Sequence, residues 1–321
     1  MLRKSCLVAV LCIEVMIVGI TDGLAADQNS EVPYPKIHAS TDSSVIARGR
    51  YLVMHVAVCG HCHSATNGAP GPDGEVQLSG MAPQPMPQPT LIRFNGAPPG
   101  GPDGPPSGAA FGYTPNITSD VNTGIGALSD GAIARALRYG VAHDGHEIGI
   151  MNFAFSDGDL TAVVSYLRTT KPVASEVRRA KFKATGFVLP GNTVARSQPL
   201  KLSPRGISVE NGRYLVESVA DCAGCHTSRD MRTGQLGSPF GGGIMIPGEA
   251  STLTPPNITR SGRLARWSED EFVARFRAGL LREGSRMPWI AFQGMHEDDL
   301  RSIYRYLKSL PAVQSADADN D

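Results

Sequence analysis

Apolar residues spaced three and four apart mark helices in two separate stretches of this chain. Ile133, Leu137 and Val141 fall at intervals of four, as do Phe272 and Phe276. Leu300, Ile303, Tyr304 and Leu307 follow the alternation of three and four that puts a stripe on one helix face. Asp157 and Glu297 stand where the N-caps or first-turn acids of two closing helices belong, because the helix macrodipole favours negative charge there. Between these stretches, residues 68 to 110 are dominated by Gly and Pro, with Pro83, Pro85, Pro87 and Pro89 alternating, which predicts an irregular wrap. At the N-terminus, Arg3 and Lys4 precede an apolar run from Cys6 to Ile20 that contains Glu14. Small residues around Gly23, Ala25 and Ala26 follow. That is the pattern of a secretory signal peptide over residues 1–26, too short and too polar to be a membrane span.

The helical stretches belong to an internal repeat, and the repeat sets the organisation of the chain. Gly49-Arg50-Tyr51-Leu52-Val53 answers to Gly212-Arg213-Tyr214-Leu215-Val216. Thr114-Pro115-Asn116-Ile117-Thr118 answers to Pro255-Pro256-Asn257-Ile258-Thr259, and Asp159-Leu160 through Tyr166-Leu167 to Asp299-Leu300 through Tyr306-Leu307. The order of elements in each repeat is an opening helix, a cysteine motif, a Gly/Pro-rich excursion, a middle helix and a closing helix. This predicts an all-α chain with domains at 45–170 and 207–311, a linker at 171–206 and a polar, acidic tail at 312–321. Gly49 and Gly212 are placed to let the opening helix approach the closing one closely, with Tyr166 and Tyr306 filling the crossing.

The length of 321 residues suits two domains, and 30 basic against 30 acidic residues give no net charge that would point to nucleic acid or an anionic surface. Charge is local instead. Lys171, Arg178, Arg179, Lys181, Lys183, Arg196, Lys201 and Arg205 make the linker basic against Glu176 alone, as a solvated connection or as a docking surface for an acidic redox partner.

Six cysteines are present, of which Cys6 and Cys12 leave with the signal peptide. The other four form Cys59-Gly60-His61-Cys62-His63 and Cys222-Ala223-Gly224-Cys225-His226, each a C-x-x-C-H haem-attachment pattern. Two cysteines three apart lie on one side of a helical turn, so both reach the vinyl groups on one porphyrin edge, and the following histidine projects toward the iron. A zinc site needs more ligands at suitable spacing, and a redox dithiol needs no trailing histidine. Two motifs in register with a repeat therefore read as two covalently bound haem c groups, one per repeat, with His63 and His226 as axial ligands. For the sixth position each repeat offers a methionine between its middle and closing helices, Met151 and Met287. Thioether sulfur favours Fe(II) and suits electron transfer. His143 and His146 stand close enough to Met151 to replace it. Met81, Met86, Met231, Met245 and Met295 lack counterparts in the other repeat and read as loop or core residues.

Both repeats resemble class I cytochrome c domains, and the chain is similar to the cytochrome c subunit of periplasmic alcohol, gluconate and aldehyde dehydrogenases. The resemblance rests on Arg48-Gly49-Arg50-Tyr51-Leu52, Tyr113-Thr114-Pro115-Asn116-Ile117-Thr118, Cys225-His226-Thr227 and Met287-Pro288-Trp289. It implies that Cys59, Cys62, Cys222 and Cys225 attach haem and that His63, His226, Met151 and Met287 are the axial ligands. That family usually has three haem domains and a C-terminal membrane segment, whereas this chain has two motifs, an acidic end, and Asn152 where a proline is expected. The resemblance implies a periplasmic electron relay without substrate chemistry of its own. Its donor would be a dehydrogenase or other redox protein, and its acceptor a terminal oxidase or another cytochrome. The rival from another class is a two-haem oxidoreductase of peroxidase or thiosulfate dehydrogenase type, for which Glu147 and His146 could serve as acid-base groups.

Overall fold

The computed structural model describes residues 32–66, 68–72, 74–80, 114–145, 148, 153–177, 200–228, 235–243, 254–282, 285 and 287–313. The leader, most of the Pro-rich wrap, the middle of the linker and the last eight residues lie outside these, as do His146, Glu147 and Met151. Among the described residues the chain is helical, with no strand and a single bridge between Thr227 and Gly242.

In the first repeat α1 (Ser43–Tyr51) continues into a π-turn, Leu52–Val56, and is followed by α2 (Cys59–His63), α3 (Asp130–Tyr139) and α4 (Asp157–Thr169). In the second, α5 (Val209–Tyr214) continues into a π-turn, Leu215–Val219, ahead of α6 (Cys222–His226). A 3₁₀ turn at Arg263–Arg266, α7 (Glu269–Arg277), α8 (Trp289–Phe292) and α9 (Glu297–Ser309) complete it. Caps written in the sequence fix most of these boundaries. Asp42, Ser129, Ser156, Ser208 and Ser268 each accept a first-turn backbone N–H, and Ser268 forms a capping box with Glu271. Asp157 and Glu297 are first-turn acids; the caps are Ser156 and His296. The middle helices stop at glycines with positive φ, Gly140 at 62° and Gly279 at 67°, so Val141 lies beyond α3 and not on its stripe.

Opening and closing helices cross in both repeats, α1 on α4 and α5 on α9. The crossings are too close for any side chain. A Cβ on Gly49 would stand 1.9 Å from the Ala162 carbonyl oxygen, and one on Gly212 would stand 2.0 Å from that of Ser302. Tyr166 and Tyr306 flank these points, as the repeat predicts. Leu52, Val53, Leu160 and Val163 fill the first crossing, Leu215, Val216, Leu300 and Ile303 the second, and all belong to one connected core.

Tyr51 and Tyr214, by contrast, reach across to the other repeat. The Tyr51 hydroxyl donates to Asp299 Oδ2 at 2.6 Å, and that of Tyr214 donates to Asp159 Oδ2 at 2.9 Å. The ends of the basic linker are also tied down. Leu200 and Lys201 carbonyls accept from the first turn of α4, and Arg205 lies 3.4 Å from Asp159. Asp159, 1 % exposed, also takes a bidentate pair of bonds from Arg48 at 3.0 and 2.9 Å.

Candidate functional site

Each cysteine motif occupies one helical turn entered through a backbone kink. The π-turns close with Ala57 N–H on the Leu52 carbonyl and Ala220 N–H on the Leu215 carbonyl, both at 2.8 Å. One residue later the chain enters the left-handed region, at Val58 (φ 46°) and Asp221 (φ 48°). A non-glycine residue there costs on the order of 1–3 kcal/mol. Its recurrence at the same place in both repeats ties the kink to the turn that follows, whose first bonds are His61 N–H to Val58 and Gly224 N–H to Asp221.

None of the four cysteines is in a disulfide. Burial pushes the Cys59 and Cys222 thiols up to about 12 and raises Cys62 as well. Thiols held protonated are the opposite of the low-pKa thiols of redox dithiols. Among the described residues no three His, Cys, Asp or Glu side chains converge as a metal-ion cluster.

His63 and His226 are buried, and burial lowers both pKa values, which keeps the rings neutral. Nδ1 of His63 lies 2.9 Å from the Pro115 carbonyl oxygen, and Nδ1 of His226 lies 2.8 Å from that of Pro256. A carbonyl only accepts, so Nδ1 carries the proton and Nε2 keeps its lone pair. That is the tautomer an axial metal ligand requires. Two cysteines outside any disulfide on one turn, with a buried neutral imidazole, are the donor set of a thioether-attached haem, and both turns supply it.

The geometry also explains the repeated Pro-Asn-Ile-Thr segment, which in the sequence is only a landmark. Asn116 Oδ1 accepts from the Thr118 backbone at 3.0 Å and hydroxyl at 2.7 Å, while Asn257 accepts from Thr259 at 2.8 Å in both cases. Each asparagine then donates at 2.8 Å to a carbonyl beyond the closing helix, Val173 or Val313. The turn is thereby fastened so that the proline carbonyl meets the histidine ring. In the first repeat Thr114 adds a hydroxyl bond to the Cys62 carbonyl. Thr114, Pro115, Asn116, Pro256 and Asn257 are thus site residues that motif reading missed, and the recurrence of Pro-Asn in both repeats was the signal for all but Thr114.

Met287 is half-buried against the core, just before Pro288 and α8. The Trp289 indole donates to Ser285 Oγ at 2.9 Å, and the Arg275 guanidinium lies over that ring at 3.6 Å, which holds the methionine segment from the α7 side. His143, one of the two alternatives to Met151, is exposed. Met295 is core, at 2 % exposure.

No family model matches the chain. It is 28 % identical over 317 residues to the cytochrome c subunit of a quinone alcohol dehydrogenase from Gluconobacter oxydans, covering 88 % of this chain and 58 % of that protein. It is 28 % identical over 309 residues to the gluconate 2-dehydrogenase cytochrome c subunit of Pantoea cypripedii, covering 86 % and 62 %. It is 26 % identical over 222 residues to a diheme cytochrome c-type protein of Cereibacter sphaeroides, covering 62 % and 72 %. The chain thus spans less than two thirds of the length of both dehydrogenase subunits.

Proposed function

We propose that this chain is a two-haem c-type cytochrome, built as two tandem class I cytochrome c-like domains at residues 45–170 and 207–311. In this reading it relays electrons one at a time, in the periplasm, from a dehydrogenase or other donor to a respiratory acceptor. The observation that carries the reading is the pair of matching turns, each with two cysteines outside any disulfide and a buried histidine whose Nδ1 is engaged by a proline carbonyl. Similarity to subunits named for alcohol and gluconate dehydrogenases supports a dehydrogenase as the donor.

When bound, each haem supplies a one-electron iron couple. The protein's part is to hold and tune it. Cys59 and Cys62, or Cys222 and Cys225, fix the porphyrin edge. His63 and His226 offer Nε2, made more basic by the bond that Nδ1–H donates to Pro115 or Pro256. Met151 and Met287 would supply the remaining ligands, soft thioether donors that would favour the reduced state. The leader at residues 1–26 directs export. In this reading contact with a membrane goes through a partner or the leader; among the described residues no helix is long and apolar enough to cross one.

The test is expression with the cytochrome c maturation machinery, followed by haem counting and a spectroelectrochemical titration. Two covalent haems and two one-electron waves, with the weak red sulfur-to-iron band present in the oxidised protein, are expected. A colourless product would refute the reading. Rapid carbon monoxide or peroxide binding at one ferrous haem would favour a two-haem enzyme.

A further inference from the structure

The second repeat's methionine segment is held on one side by its own repeat and on the other by the first. From Met287 to His296 the chain is a succession of tight turns. Trp289 N–H donates to the Met287 carbonyl at 2.7 Å, Ala291 and Phe292 to Pro288 at 3.1 and 3.0 Å, Gly294 to Ala291 at 3.1 Å and Met295 to Phe292 at 3.0 Å. On the α7 side Arg277 Nη1 donates to the Gln293 carbonyl, and the Gln293 amide donates back to the Arg277 carbonyl.

On the other side, contacts come from the opening helix of the first repeat and its π-turn. His55, in its π-turn, places Nδ1 2.9 Å from the Ala291 carbonyl, and its ring fills the space beside Gly294, where a Cβ would stand 2.2 Å from Nδ1. Tyr51 accepts the His296 backbone N–H at 3.1 Å, donates to Asp299, and stacks on the His296 ring with centroids 3.8 Å apart. His296 is the N-cap of α9, its side chain makes no cap bond, and the Tyr51 hydroxyl takes its backbone N–H, the group that an N3 side chain takes in a capping box. The relation is reciprocal but unequal. Tyr214 accepts from Ser156 N–H at 3.1 Å and donates to Asp159, whereas the position matching His55 is Ser218.

We propose that Tyr51 and His55 are positioning residues for the segment that carries Met287, so that the first repeat sets the sixth ligand of the second repeat's haem. This rests on the two-haem reading above. A segment of ten residues cannot hold a sulfur against iron by its own turns alone; it keeps one geometry where packed surfaces on both sides limit it. Here one of those surfaces is the opening helix of the other repeat. A change in the first repeat then reaches the second iron by displacing this segment.

The experiment uses the matured full chain. Met287→His first identifies the share of the sulfur-to-iron band, and the reduction wave, that belong to the second site. Tyr51→Phe and His55→Ala are then expected to diminish that share and lower that wave while leaving the other haem unchanged. His55→Gln, which restores an N–H donor, is expected to recover both. Tyr214→Phe removes a hydroxyl that bonds only to the first repeat, and is expected to leave the Met287 signal intact. Tyr51 and His55 variants that leave the second site untouched, or shift both haems alike, would overturn the proposal, as would the same second-site change in Tyr214→Phe. A sulfur band that survives Met287→His in full would instead remove the ligand assignment itself.

Discussion

Replacing Gly212 by alanine tests whether the crossing of α5 and α9 is as tight as the structure requires. The added Cβ would lie 2.0 Å from the Ser302 carbonyl oxygen, 2.5 Å from its carbon and 2.7 Å from Tyr306 Cβ. Ordinary contact begins near 3.4 Å, so one helix must retreat by about 1.4 Å, and two of the three obstructing atoms are backbone. Overpacking of this kind costs about 1–3 kcal/mol, and this site stands at the upper end because no flexible side chain can give way. Alanine in a helix recovers about 1 kcal/mol through propensity, leaving a net loss of about 2 kcal/mol. For a protein of this size that corresponds to a fall in melting temperature of about 3 °C, read by circular dichroism, and to an earlier midpoint in denaturant titration. Gly158→Ala is the control. Its Cβ meets nothing closer than 3.4 Å in the first turn of α4, so the propensity gain stands alone and the variant is expected to be neutral or slightly more stable. Gly212→Ala as stable as the parent, or no different from Gly158→Ala, would refute the packing argument.

Two further outcomes follow from unequal positions in the repeat. Asp159→Asn strands the largely buried Arg48 and is expected to cost about 3–5 kcal/mol. Asp299 is hydrogen-bonded by the neutral Asn211 and Tyr51 and acts on Arg48 only through space, so Asp299→Asn is expected to cost about 1 kcal/mol; equal losses in denaturant titration would contradict this. Hydrogen bonding from Arg305, then Arg301, holds Glu269 below its ordinary 4.5. A depressed carboxylate stabilises above the unfolded value and loses that contribution as pH falls through the folded one. Glu269→Gln is therefore expected to be less stable than the parent at pH 7, by at most about 1 kcal/mol, and equal to it in acid; a gap that widens on acidification would reverse the sign.

The helices, the repeat and both cysteine turns were legible because each depends on residues close together in the chain. Periodicity, capping and C-x-x-C-H are local patterns, and a repeat displays each of them twice. Even so, Val141 sat on the right spacing and fell outside α3, because Gly140 ends the helix with a positive φ that no period reports.

The residue types alone determined that histidines follow both cysteine pairs and that glycines face the closing helices. Only the tertiary structure decided which imidazole nitrogen is free, since that depends on carbonyls 52 and 30 positions away. It also decided that Tyr51 and Tyr214 serve the opposite repeat, over separations of 248 and 55 residues. The physical reason is the same in both cases. A hydrogen-bond partner is selected by proximity after the core has closed, and a helix's own pattern records which face is buried, not what lies against it.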